Sequence, residues 1–488
     1  MLRHLVRSGR RSLLTAPIVH RRPNSAGNVG LLDDLSYRGF IQDVTTPQFL
    51  HDALEFGPQT VYAGIDPTAG ALHVGHLLPL MCLLHFQVRG HQIIPLIGGA
   101  TGLIGDPSGR STEREPAETE QIEKNTVALS QSVELFFKRA FIYADDRIVL
   151  DKGTYPDVRA KNNIEWHKNM TMMDFLRNVG VHSRINTMLN KESVRTRLES
   201  KHGISFTEFS YQLLQAYDFY HLHKHFGCNI QVGGSDQWGN ILGGIALINR
   251  IDAQDRGGIA SVFGLTTPLL TSASGVKFGK TAGNAVWLDP QMTSVFNFYQ
   301  YFVKTTDAEV ESFLKLLTLM SWSEIHTTME AHMAQPNQRI AQRRLAAEVT
   351  ELIHLSGCIA VSPALPHRGS SESGRMKAET VTKIMFDADL ADLRAQAIID
   401  AFQDDPCLHM VDQEELATAS VVKLAVKYGI VSSASAARLL VLSRGLYQNN
   451  RPVAEIQFTL QHHHLVDDRV AILRAGKDKM VVLVAKSS

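Results

Sequence analysis

Thr60-Val61-Tyr62-Ala63-Gly64-Ile65 is a short β-type run bounded by turn residues. A polar loop from Asp66 to Gly75 follows, then an apolar helical stretch from about His76 to Val88. Gln92 to Ile97 reads as a second buried strand and empties into a glycine-rich loop, Gly98 to Gly109. The pattern returns at Cys228-Asn229-Ile230-Gln231-Val232, which runs into Gly233-Gly234-Ser235-Asp236 and a helix capped by Ser235 or Asp236. Strands that alternate with helices pair in parallel, because only a long crossover can bring the chain back to the same end of a sheet. The fold class expected is therefore α/β, with a Rossmann-type parallel sheet. Upstream, Thr46-Pro47 predicts a helix start, threonine as N-cap and proline at the first helical position, and Gly57 its end.

Two motifs in this frame carry chemistry. His73-Val74-Gly75-His76 sits where a loop enters a helix. Backbone N–H groups and the helix dipole favour phosphate there, and imidazoles can stabilise a phosphoryl group whose charge is rearranging. Gly75 allows close approach of a nucleotide. On spacing alone, two nearby histidines binding a metal or satisfied locally is an equal reading. The second motif is Lys277-Phe278-Gly279-Lys280-Thr281, inside the Gly/Ser-rich stretch 272–283. Lysines three apart on such a loop suit closure over a triphosphate; alone, a solvated basic loop would be the better reading. The two motifs bracketing one α/β domain are far more specific than either.

At 488 residues the chain is expected to form two to four domains. No run of 18 apolar residues occurs, so no membrane-spanning helix is expected. Cys82, Cys228, Cys358 and Cys407 are scattered without a C-x-x-C pair, which argues against a disulfide framework or a cysteine zinc site, and no bound metal is expected. Residues 1–32 hold six arginines and no acid, the pattern of a mitochondrial transit peptide and hence of a matrix protein; a basic arm that touches RNA is the alternative. Without those arginines, 43 basic face 49 acidic side chains, so any nucleic-acid contact must use local charge. Such charge lies in residues 420–488, with ten Lys or Arg against four Asp or Glu. From about 289 to 355 the sequence is helical, residues 360–375 read as a flexible loop, and His462-His463-His464 reads as a loop rather than a metal site.

These residues together resemble a family. The chain is similar to the class I aminoacyl-tRNA synthetases, with an H-x-G-H signature and a K-F-G-K-T variant of the lysine loop, and specifically to their bacterial-type tyrosyl branch. The matching runs are residues 62–69, 98–109, 203–211, 215–219 and 233–240, and the resemblance extends from about residue 31 to the end. It implies that Tyr62 and Asp218 hold the substrate phenol, Asp106, Tyr211 and Gln215 its α-ammonium, with Asn163, Gln231 and Gln237 as further tyrosine-pocket residues. Asp66, Gly75, Gly234 and Asp236 would contact ATP. Thr68, His73 and His76 would meet the phosphates, and Arg110, Arg114, Lys277, Lys280 and Thr281 would grip the departing pyrophosphate. Arg110 stands where lysine is common in the family, and Ala63 where some relatives carry a polar side chain.

The resemblance further implies ATP as substrate with Mg²⁺, no tightly bound cofactor, tRNA and tyrosine as partners, and a homodimer joined through the connecting region. The expected organisation is a transit peptide at 1–30, a catalytic domain at 31–285 with an insertion at about 150–205, a helical domain at 286–375, a linker at 376–413, and a small α+β RNA-binding domain at 414–488. Two rivals stand beside it. A tryptophanyl enzyme disagrees with the Tyr62 and Asp218 pair. A non-catalytic RNA-binding or splicing factor disagrees with the intact His73, His76, Lys277 and Lys280.

Overall fold

The structure, a computed structural model, describes residues 29–108, 118–148, 158–199, 203–256, 260–269, 280–281, 284–354, 380–384, 390, 393–403, 405–476 and 479–486. The arginine-rich start, Arg110, Arg114, Lys277, Cys358 and the loop 360–375 lie outside the described residues.

Six strands form the first sheet: β1 (Asp43–Val44), β2 (Thr60–Ile65), β3 (Gln92–Ile97), β4 (Lys161–Asn162), β5 (Cys228–Gly234) and β6 (Phe263–Thr267). Their spatial order is β1-β6-β5-β2-β3-β4, parallel throughout except for the edge strand β1. The chain steps from β2 to β3 on one side and later returns to β2's other side with β5. That reversal makes a crevice at the carboxyl ends of β2 and β5. The helix Leu77–Gln87 crosses from β2 to β3 and is buried nearly all round, which its uniform apolarity requires. The 27-residue helix Thr119–Asp145 leads toward β4, and the helices Phe206–Phe226 and Trp238–Arg256 flank β5.

Two cap expectations are corrected. Thr46 precedes the helix Pro47–Phe56, but its backbone is left-handed and its side chain makes no cap hydrogen bond. Ser235 and Asp236 do not cap the helix at 238; with Gln237 they form a 3-10 turn of their own after Gly234.

Beyond the sheet, a short antiparallel pair, β7 (Lys280–Thr281) and β8 (Asn284–Ala285), leads into four helices, Val295–Val303, Val310–Leu317, Trp322–Ala334 and Ile340–His354. Ser321 and Glu324 form a reciprocal capping box that starts the third. Polar clamps fix this bundle to the first domain. Arg38 donates to the carbonyls of Lys315, Thr318 and Met320. Arg147 pairs with Glu348 at 2.8 Å and Glu351 at 2.7 Å.

The last sheet runs β11-β10-β12-β13-β9, built from β9 (Leu408–Val411), β10 (Leu446–Gln448), β11 (Arg451–Pro452), β12 (Val470–Ala475) and β13 (Lys479–Ala485). Here the expected linker is corrected: β9 pairs in parallel with β13, and the helix Ala395–Ala401 precedes it. Its central strands β12 and β13 are buried on both faces, alternate residues going to opposite sides. Val470, Ile472, Val482 and Val484 join the main core with Ile384, Ile398 and Phe402. Ala471, Leu473, Val481 and Leu483 pack on the helices Val421–Lys427 and Ala434–Leu442.

Cys82 and Cys228 are buried free thiols that burial pushes far up, as small apolar residues would be.

Candidate active site

The crevice floor is laid by β2 and β5. Tyr62 faces Gln231 across the parallel ladder, and its ring lies 5.4 Å from that of Phe219. The helix Phe206–Phe226 brings Tyr211, Gln215 and Asp218 to one side of the crevice, as residues four and seven apart on a helix must lie. Burial, and next the Asp218 carboxylate, push the Tyr62 hydroxyl well above its ordinary value. The Tyr62 hydroxyl, the Gln215 side-chain oxygen and the Gln231 side-chain oxygen are all buried without a hydrogen-bond partner.

The carboxylates are held by named donors. Asp66 accepts from Thr101 Oγ1 at 2.8 Å and from the Tyr211 hydroxyl at 2.9 Å. Asp106 accepts from Gln237 Nε2 at 2.6 Å and from the Ser108 backbone at 2.8 Å. Asn163 accepts from the Ala100 N–H and donates to Thr101 and Asp218. Gly98 is required by this packing, since a Cβ there would lie 2.1 Å from Asp66 Oδ1. At Gly234 it would meet Asp236 Oδ1 at 2.7 Å.

The histidine pair is self-organised. His73 Nδ1 accepts from the Gly75 N–H, and His76 Nδ1 accepts from the His73 N–H, both at 3.1 Å. The rings stack with centroids 3.9 Å apart. Burial, and next the His73 ring, hold His76 down at about 3. Because both Nδ1 atoms accept, each neutral ring carries its proton on Nε2 and can act as a donor there. Among the described residues no group of three or more His, Cys, Asp or Glu could hold a metal ion. The turn is sewn to the segment after the lysine loop: Val74 N–H donates to Val286, Leu288 N–H to Leu72, and His73 bridges Trp287. Lys280 and Thr281 thus begin a hairpin whose exit is anchored on the histidine turn. Thr68 and Asp236 are exposed at the crevice rim.

Three residues escaped the sequence reading. Trp166 Nε1 and His167 Nε2 both lie 2.7 Å from Asp218 Oδ1. Lys191 lays its stem over Gly239 and its amine over Gly243, and burial lowers it to about 8 against the opposing pull of Asp106. The spacing of Asn163, Trp166 and His167 on one helical turn, and the Gly239-x-x-x-Gly243 groove, were the available signals.

The profile of the family described as tRNA synthetases class I (W and Y) matches residues 55–360. The chain is 40% identical over 459 residues to a mitochondrial tyrosine–tRNA ligase of Saccharomyces cerevisiae, covering 93% of this chain and 88% of the relative. It is 41% identical to a tyrosine–tRNA ligase of Roseiflexus castenholzii over 92% of this chain and 97% of that one. A C-terminally truncated mitochondrial tyrosyl-tRNA synthetase of Aspergillus nidulans superposes with a TM-score of 0.61 at 34% identity, covering 72% of this chain and 94% of that structure. A self-organised histidine turn, a polar crevice at a topological switch point and relatives matched over nine tenths of the chain converge on one assignment: the chain belongs to the tyrosyl branch of the class I aminoacyl-tRNA synthetases and is a tyrosine–tRNA ligase.

Proposed function

We propose that tyrosine enters the crevice with its phenol toward Tyr62 and Asp218 and its α-ammonium toward Asp106, Tyr211 and Gln215. The carrying observation is the unpartnered Tyr62 hydroxyl in the neighbourhood of Asp218 on an apolar floor. A buried polar atom without a partner is costly, and a phenol hydroxyl satisfies a donor and an acceptor at once. At the other end, carboxylates and amide oxygens suit a cation. Asn163, Gln231 and Gln237 complete the pocket.

ATP, taken up as its magnesium complex, lies along Asp66, Gly75, Gly234 and Asp236, with its phosphates toward Thr68, His73 and His76. Arg110, Arg114, Lys277, Lys280 and Thr281 close on the leaving pyrophosphate. The tyrosine carboxylate attacks the α-phosphorus, an acyl–phosphate bond forms, and the bond to pyrophosphate breaks. The carboxylate is already ionised, so no side chain need act as base; the protein supplies position and stabilises charge on phosphorus. A terminal ribose hydroxyl of the tRNA then attacks the mixed anhydride and releases AMP.

The enzyme works as a homodimer. Met172, Met173, Leu176, Val181 and Ile185 in the connecting region are all about half exposed or more, an apolar patch suited to a second copy. The matrix is its place of action, a reading supported by arginine-rich residues 1–30 and by relatives named as mitochondrial in yeast and Aspergillus nidulans. The domain boundaries at 31–285, 286–375 and 414–488 belong to the same proposal, with β9 added to the last domain, which serves tRNA.

The test is ATP–pyrophosphate exchange with tyrosine and phenylalanine. Asp218→Ala and Tyr62→Phe should each erode the preference for tyrosine. The upper bound is about 10⁵-fold, the discrimination a tyrosyl enzyme is known to reach. Wild-type preference in both variants would refute the phenol assignment.

A further inference from the structure

We propose that His167 is a positioning residue that sets tyrosine specificity, by occupying Asp218 Oδ1 and leaving Oδ2 as the acceptor for the substrate hydroxyl. This deepens the reading in which Asp218 receives the phenol, and rests on it. A carboxylate offers about four acceptor positions, two on each oxygen. Oδ1 meets Trp166 Nε1 and His167 Nε2, each at 2.7 Å, and so has both positions filled. Among the described residues Oδ2 meets only Asn163 Nδ2, at 3.0 Å, which leaves it one position. An ionised carboxylate only accepts, so the His167 proton lies on Nε2 and the ring donates. The His167 side chain is 8% exposed, the Asp218 side chain 3%.

The local sequence explains the arrangement. Asn163 opens the short helix Ile164–His167, and Asn163, Trp166 and His167 stand at i, i+3 and i+4, the positions that share one helical face. One turn therefore delivers three N–H donors to one carboxylate on the facing helix. The His167 ring also packs against Tyr217, at 5.6 Å between centroids. Without His167, Oδ1 regains an open position. The carboxylate can then rotate or take water, and the geometry that selects a hydroxyl over hydrogen at the ring's para position is blurred.

The experiment measures pyrophosphate exchange for tyrosine and phenylalanine in the full chain with His167→Leu, His167→Gln and His167→Asn, alongside Asp218→Ala. Losing one hydrogen bond to a charged group should lower the tyrosine-over-phenylalanine ratio of kcat/KM about tenfold in His167→Leu. The loss should fall on KM for tyrosine rather than on kcat, because the reacting phosphorus is at the far end of the site. His167→Gln, whose amide reaches where Nε2 stands, should restore most of the ratio. The shorter His167→Asn should not. If His167→Leu does not fold, the Gln and Asn pair decides: equal ratios in the two overturn the proposal. A folded His167→Leu with an unchanged ratio, while Asp218→Ala loses it, overturns the role of His167 and leaves that of Asp218. An unchanged ratio in Asp218→Ala removes both.

Discussion

His76 is the residue whose charge state matters most to this site, and its surroundings decide that state. Its ring accepts a backbone hydrogen bond at Nδ1 and stacks on His73, and burial holds it at about 3 against an ordinary 6.5. It is therefore a neutral donor throughout the physiological range. Unfolding releases an imidazole that binds a proton the folded ring refuses. Stability consequently rises with pH between about 3 and 6.5 and is lost as pH falls through that window. At pH 5 the loss is up to about 2 kcal/mol. His76→Asn keeps an acceptor near the Nδ1 position and removes the titration. Urea unfolding at pH 7.5 and pH 5 should show a smaller drop in that variant than in the parent; equal drops would mean His76 is not the group responsible. The motif itself was legible in the sequence because its partners are three residues apart. Trp166 and His167 were not legible as ligands of Asp218, because about 50 residues separate them and only the fold of the connecting region brings them together.

Elements differ in how much of themselves the sequence displays. The strands β2, β3 and β5 were readable as apolar runs between turn residues, and their parallel pairing followed from the helical crossovers, but their order did not. The parallel strand β9 was hidden: four residues with only Val411 fully buried give no pattern until β13 is beside them. In the connecting region, helices of four to seven residues carry too few turns to show a period. Besides the donors on Asp218, an ion pair holds that region to the helix Phe206–Phe226. Arg197 is fully buried and meets Glu208 at 2.8 Å, while also donating to the Gly203 carbonyl. Removing one partner strands the other's charge, so Arg197→Met should cost about 3–5 kcal/mol in urea unfolding. Arg197→Met with Glu208→Leu should recover most of it. A double variant as unstable as the single one would show that packing, not the stranded charge, sets the cost.

At the scale of the whole molecule, one apolar core runs through the first sheet, the helical bundle and the C-terminal sheet, and the polar clamps at Arg38 and Arg147 tie the bundle to the first sheet's unit. The C-terminal sheet is part of that core, so truncation before it would uncover Ile384, Ile398 and Phe402 and confuse lost RNA binding with lost structure. Charge substitutions separate the two. Lys423, Arg438 and Arg444 are exposed on the C-terminal domain. Replacing all three with Ala should leave pyrophosphate exchange unchanged, weaken tRNA charging, and flatten its salt dependence by a slope of about 2 to 3. A triple variant that charges tRNA normally at every salt concentration would remove this face from the tRNA path. The placement of β9 also bears on how the chain is born. Among the described residues its one neighbour in the sheet, β13, is encoded roughly 70 residues later. At about 5–20 residues per second, a ribosome needs some 4 to 14 seconds to supply it. Through that interval the apolar stripe of Ile398 and Phe402 has no sheet to lie against. Assembly of this enzyme thus contains a waiting period written into its strand order, during which a holding chaperone has a defined surface to shield.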